Sequence, residues 1–212
     1  MLLLIRSRLV LLVLGGLGFL APGCSPPPPP PEPGGDPPPP GFSLRDVAGV
    51  EHHPFTDPAV KAVALVFVLA DCPIANGYAP EINRVCAAYG PRGVRFFLVQ
   101  VDEDLSSRAA AEHAREYGYT CPVVLDGGRA LVRRAGARMA PEAAVFGPDG
   151  ERKYLGRIDD LYADLGKRRA RATSLDLRDA LDAVLADRPV PRPVTQAVGC
   201  FIPPLSSKGP QP

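Results

Sequence analysis

Val63-Ala-Leu-Val-Phe-Val-Leu-Ala70 runs straight into Asp71-Cys72-Pro73-Ile74, and then into Tyr78-Ala-Pro-Glu-Ile-Asn-Arg-Val-Cys86. An unbroken apolar run of this length suits a central strand buried on both faces. A helix is expected from about Tyr78, with Pro80 tolerated in its first turn, and it closes at Tyr89-Gly90-Pro91. Cys72 therefore stands where a strand hands over to a helix. There the unpaired N–H groups and the positive end of the helix dipole favour thiolate over thiol. Thiolate is the form that attacks disulfides and peroxides and binds soft metals. Asp71 beside it opposes that field. Cys86, inside the helix, reads as a core residue. Cys72 is the expected functional centre.

Downstream, Val94-Arg-Phe-Phe-Leu-Val-Gln-Val101 reads as a second buried strand. Ser106 or Ser107 caps a helix through Ala109–Tyr117 that stops at Gly118. Pro122–Asp126 is a short strand and Ala130–Ala135 a short helix closed by Gly136. Glu142–Phe146 and Glu151–Gly156 flank the turn Gly147-Pro-Asp-Gly150 and form a hairpin. A last amphipathic helix carries Leu175, Leu177, Leu181, Val184 and Leu185, with Thr173 and Asp176 as a capping box. This order argues for an α/β sandwich: a mixed sheet covered by helices, parallel in its first half and antiparallel at the hairpin.

The ends carry a different composition. In residues 1–23, Arg6 and Arg8 precede an apolar stretch from Leu9 to Ala21. That is shorter than the about 20 apolar residues a membrane span needs, and reads as an export signal. Cys24, directly after Ala21-Pro22-Gly23, resembles the lipidated cysteine of bacterial lipoproteins, although Ala21 stands where leucine is usual. Residues 24–41 are dominated by proline and glycine and suit an extended stalk of roughly 50 Å at about 3.1 Å per residue. The domain spans 42–190, and 191–212 is a tail carrying Cys200. Without residues 1–23 the chain loses two of its 24 basic residues and none of its 23 acids, leaving a net charge near −1. Nothing in that balance calls for nucleic acid, and Lys167-Arg-Arg-Ala-Arg171 reads as a solvated loop. The expected location is the bacterial cell envelope, with a lipid anchor to the membrane.

The element order, Cys72-Pro73 after the first core strand, and Ala140-Pro141 before the hairpin together resemble the thioredoxin fold. Phe146–Arg157, with its strand, turn, strand and Gly156-Arg157, and the leading strand Phe42–Val47 resemble more closely the redoxin branch. That branch includes peroxiredoxins and membrane-tethered thiol:disulfide interchange proteins. The resemblance implies a cis Pro141 facing the active cysteine, and an oxidoreductase acting on protein thiols and disulfides or on peroxide. Two positions depart from it. A dithiol enzyme carries Cys-x-x-Cys, and here Ala75 holds the second place; a peroxiredoxin carries threonine three residues before its cysteine, and here that residue is Leu69. The chain is similar to redoxin-domain proteins of exported type that bear Asp-Cys-Pro-Ile.

The resemblance also suggests where a second thiol comes from. Some peroxiredoxins resolve their sulfenic acid with a cysteine in a C-terminal segment, the place Cys200 occupies in Ala197-Val-Gly-Cys-Phe-Ile202. Cys121 is an alternative that could pair with Cys72 or Cys200. Copper chaperones of the cytochrome-oxidase assembly type share the fold and use Cys-x-x-x-Cys with a distant histidine, whereas the fourth residue after Cys72 is Asn76. Cu(I) on Cys72 and Cys200 is therefore the alternative chemistry, and a non-catalytic adaptor a third reading. His52-His53 reads as a solvated pair and His113 as an exposed helix residue, so no resident metal or cofactor is expected.

Overall fold

The structure, a computed structural model, describes residues 42–205. The expected export signal, the expected lipidation site Cys24, the expected stalk and the end of the tail lie outside the described residues. The elements in order are β1 (Leu44–Arg45), β2 (Glu51–His52), β3 (Ala62–Val68), α1 (Pro73–Gly77), α2 (Ala79–Tyr89), β4 (Val94–Gln100), α3 (Ser107–Glu116), β5 (Val123–Leu125), α4 (Ala130–Ala135), β6 (Met139–Ala140), β7 (Glu142–Phe146), β8 (Arg152–Gly156), β9 (Tyr162–Asp164), β10 (Lys167–Arg168), α5 (Asp176–Leu185) and β11 (Cys200–Phe201).

Five strands form the central sheet in the order β5-β4-β3-β7-β8. β3 and β4 pair in parallel with Leu65 opposite Phe97, and β4 and β5 in parallel; β7 runs antiparallel to both β3 and β8. Every residue of β3 is buried, as its all-apolar sequence requires of a strand covered on both faces. Alternate residues serve two cores. Ala64, Val66 and Val68 join Ile82, Val85, Leu177 and Leu181 on one face, while Val63, Leu65 and Phe67 join Leu131, Ala135 and Phe146 on the other. This is the α/β sandwich expected from the element order, in the thioredoxin-like form that the resemblance implies.

Several boundaries fall where local chemistry puts them. Ser106 accepts a hydrogen bond from the Ala109 N–H at 3.2 Å and caps α3. Gly136 closes α4 with φ 70°, a left-handed conformation open to glycine. Three expectations are corrected. The helical region begins immediately after Cys72, as the short α1 with Pro73 at its first position, rather than near Tyr78. The Thr173–Asp176 capping box does not form: Leu175 is the N-cap, Thr173 donates its hydroxyl to Asp160, and Asp176 is held by Arg157 and Arg192. The basic segment at 167–171 is no plain loop, since β10 pairs with β9. Beyond α5 the chain returns to the sheet: Leu155 N–H donates to Pro193 O, Thr195 N–H donates to Leu155 O, and β11 pairs with β6.

Candidate functional site

Cys72 sits at the turn where β3 leaves the sheet. Its N–H donates to Leu69 O at 3.1 Å, and its carbonyl accepts the first helical bond from Asn76 N–H at 3.0 Å. Its backbone is extended, with φ −86° and ψ 109°, the conformation of an N-cap residue. No side chain caps α1, and its first residue, Pro73, has no N–H to satisfy. Asp71 is exposed, whereas Cys72 is 1% exposed.

What covers Cys72 is the tail. A disulfide joins Cys72 to Cys200, with the Cα atoms 6.0 Å apart, inside the range such a bond requires. Cys200 is placed by backbone pairing: β11 lies antiparallel to β6, with Cys200 opposite Ala140 and Phe201 opposite Met139. Ile202 N–H donates to Arg138 O at 2.9 Å, and its side chain is buried in the second core. Ala140-Pro141 is a cis peptide, and the Ala140 carbonyl oxygen lies 3.1 Å from Cys72 Sγ. The tail thus pairs with the strand beside the cysteine. Gly199 passes so close to Ala140 that a Cβ there would collide with that residue's carbonyl group and touch Pro141 Cδ at 3.0 Å.

Around this centre stand polar groups that sequence reading passed over. Glu142 is buried, and its Oε2 accepts from the Arg138 and Met139 N–H groups at 2.7 and 3.1 Å, pinning the segment that becomes β6. Burial pushes its carboxyl above the usual range. Tyr78 donates to Asp159 Oδ1 at 2.7 Å, both groups buried, and burial raises both their pKa values. Their partnership ties the start of α2 to the loop after β8. His113 is 8% exposed, not solvated as its charged neighbours implied. Asn76 spends its Nδ2 on Ala70 O at 2.8 Å, so its Oδ1 accepts from His113 Nε2 at 2.9 Å, while His113 Nδ1 meets Gln100 at 2.9 Å. Burial holds His113 below the ordinary histidine range. α1 is therefore anchored to α3 and β4 one turn from Cys72.

The other two described thiols take no part in this bond. Cys121 is buried against Cys86, which is half-buried on α2, and neither is in a disulfide. His52 is half-buried and hydrogen-bonds Asp46 Oδ2 at 2.8 Å, so only His53 of that pair is solvated. Among the described residues no cluster of three His, Cys, Asp or Glu side chains is arranged to hold a metal. Leu69 is half-buried, and Ala75 is fully buried where a vicinal second cysteine would stand.

A family model described as redoxin matches residues 35–161. No curated protein matches the chain. Among solved structures, it is similar to a hypothetical protein from Sinorhizobium meliloti 1021 at 22% identity, covering 79% of this chain and 92% of that one, with a TM-score of 0.66. It is likewise similar to an uncharacterized conserved protein from Geobacillus kaustophilus at 28% identity, covering 84% and 94%, with a TM-score of 0.66. A more distant likeness, with a TM-score of 0.47 and 18% identity over 69% of this chain and 95% of the other, is to a secreted Mycobacterium tuberculosis disulfide oxidoreductase.

Proposed function

The chain belongs to the redoxin family, and from that premise we propose that it is an exported thiol–disulfide exchange protein whose working couple is Cys72 and Cys200. The observation that carries this reading is the bond between a cysteine at a helix start and a cysteine on a strand laid beside cis Pro141. In the reduced protein, the Cys72 thiolate attacks a disulfide of a partner protein. One partner sulfur leaves as thiolate, and Cys72 holds the other in a mixed disulfide. Cys200 thiolate then attacks Cys72 Sγ, the second partner thiolate leaves, and the Cys72–Cys200 bond closes. Two electrons have passed to the partner; the reverse sequence oxidises a partner dithiol. Pro141 shapes the groove beside Cys72. In the oxidised form Cys72 is covered, so β11 must lift from β6 before an incoming thiolate reaches Cys72 Sγ and expels Cys200.

Disulfide exchange is favoured over peroxide reduction because Leu69, an apolar side chain, stands where a peroxiredoxin orients the peroxide with threonine. Export rests on the arginine-led apolar segment of residues 1–23, and an anchor on Cys24 would leave the proline-rich segment as a spacer. The test is disulfide reduction by the reduced full chain, followed by alkylation and mass mapping. Cys200→Ser is expected to trap the partner on Cys72, and Cys72→Ser to form no mixed disulfide. Undiminished turnover in Cys72→Ser would sink the assignment.

A further inference from the structure

Among the described residues, the two cysteines outside the Cys72–Cys200 bond, Cys86 and Cys121, are brought together by α2 and the loop ahead of β5. Asn83 clamps that loop: its Nδ2 donates to Gly118 O at 2.7 Å, and its Oδ1 accepts from Thr120 N–H and Oγ1 at 3.0 and 3.1 Å. Cys86 lies three residues along α2, one turn on and on the same side of the helix. Cys121 directly follows Thr120. Both pack into the same core cluster, so α2 and the clamped loop bring the two thiols into one neighbourhood.

The pair is asymmetric. Cys86 is half-buried and Cys121 is 6% exposed. The neighbouring Cys121 thiol pulls Cys86 below the ordinary thiol range; the Cys86 sulfur, and then burial, push Cys121 above it. Cys86 is the sulfur nearer solvent, the arrangement of an attacking thiol with a covered partner behind it.

We propose that Cys86 and Cys121 form a second redox dithiol, separate from Cys72–Cys200, that closes to a disulfide by exchange with a small disulfide such as oxidised glutathione. Cys86 thiolate attacks one glutathione sulfur, the glutathione S–S bond breaks, and one glutathione thiolate leaves. Cys121 then gives up its proton, its sulfur attacks Cys86 Sγ, and the second glutathione leaves as thiolate. Two electrons move from the pair to glutathione, and the two protons lost by the protein thiols balance the two glutathione thiols formed. The closed bond locks α2 to the loop that Asn83 clamps. This inference does not rest on the exchange activity assigned to Cys72.

The experiment equilibrates the full chain with excess oxidised glutathione, quenches in acid, alkylates under denaturing conditions and maps disulfides by mass. The wild type is expected to yield Cys86–Cys121 alongside Cys72–Cys200. The Cys72→Ser/Cys200→Ser double variant is expected to yield Cys86–Cys121 alone, so the second bond is read without the first. In Cys121→Ser, a glutathione adduct should accumulate on Cys86, rising from a trace in the wild type to the major species. Recovery of Cys86 and Cys121 as alkylated thiols in both the wild type and the double variant would overturn the proposal. So would a bond from Cys121 to Cys72 or Cys200 in the wild type.

Discussion

Gly199→Ala should make the Cys72–Cys200 disulfide easier to reduce while leaving the reduced protein nearly untouched. The added methyl would overlap the Ala140 carbonyl, with its carbon 2.6 Å away and Pro141 Cδ at 3.0 Å. All of these belong to the main chain or a proline ring, so no flexible side chain can yield. β11 must move off β6, and with it go the Cys200–Ala140 register and the Ile202 N–H bond to Arg138 O. Overpacking of this kind costs about 1–3 kcal/mol. Once the disulfide opens, the tail is free to move and the overlap can be relieved, so the cost falls mainly on the oxidised form. At about 30 mV per 1.4 kcal/mol for a two-electron couple, the midpoint should rise by about 20–60 mV. That is a change of about 5–150-fold in the equilibrium with glutathione. The assay titrates the full chain through glutathione redox buffers and counts oxidised molecules after alkylation. A midpoint unchanged or lowered in Gly199→Ala would refute the reasoning that β11 pairing supports the bond.

His113→Ala removes the link between Asn76 and Gln100 and leaves buried polar groups unpaired, at a cost of about 1–3 kcal/mol in denaturant unfolding. Because burial depresses the folded-state pKa of His113 below its unfolded value of about 6.5, its neutral form is the one the fold accepts. Stability from this site is present above that value and is lost as pH falls toward the folded pKa; a wild type whose unfolding shows no more acid sensitivity than His113→Ala between pH 7 and 5 would contradict this. Asp160 accepts from Thr173 N–H, Thr173 Oγ1 and Ser174 N–H at 2.6, 2.5 and 2.9 Å, bonds that hold its carboxyl far below the usual range. Asp160→Asn should cost about 1–3 kcal/mol at neutral pH and flatten the loss of stability that the wild type shows below about pH 4. Equal acid slopes in the two proteins would count against that network.

The parts of the fold that were legible in sequence are those whose signal is local. β3 and β4 announce themselves because a strand buried on both faces must be continuously apolar, and α4 ends where Gly136 takes a left-handed conformation. The hairpin of β7 and β8 is fixed by Gly147-Pro-Asp-Gly150. What escaped depends on distant partners. Thr173 and Asp176 have capping-box spacing, but Asp160, Arg157 and Arg192 compete for their side chains and win. His113 shares the buried side of α3 with Ala110, three residues before it, and the charges at Glu112 and Arg115 disguise that side. α1 was hidden because Pro73 and Gly77 punctuate five residues that look like a loop, although proline suits a first helical position. The β6–β11 pairing joins two-residue strands far apart in the chain and has no local signature; only the resemblance to C-terminal resolving cysteines pointed to Cys200. The neighbourhood of Cys86 and Cys121 likewise needs the Asn83 contacts to be seen.

The Cys72–Cys200 bond, with a sequence separation of 128, also has a mechanical meaning. A pull applied to the two ends of the oxidised domain reaches Cys72 through the leading segment and crosses directly to Cys200 through sulfur. The helices and strands between them, including most of the sheet, cannot be drawn out. Reduction removes that shunt, and the enclosed chain can then extend by about 420–450 Å at roughly 3.3–3.6 Å per residue. For a domain held at one end and tugged at the other, the redox state of a single bond sets whether force can draw out the whole sheet or only its central strand β3 and the segments outside the two cysteines.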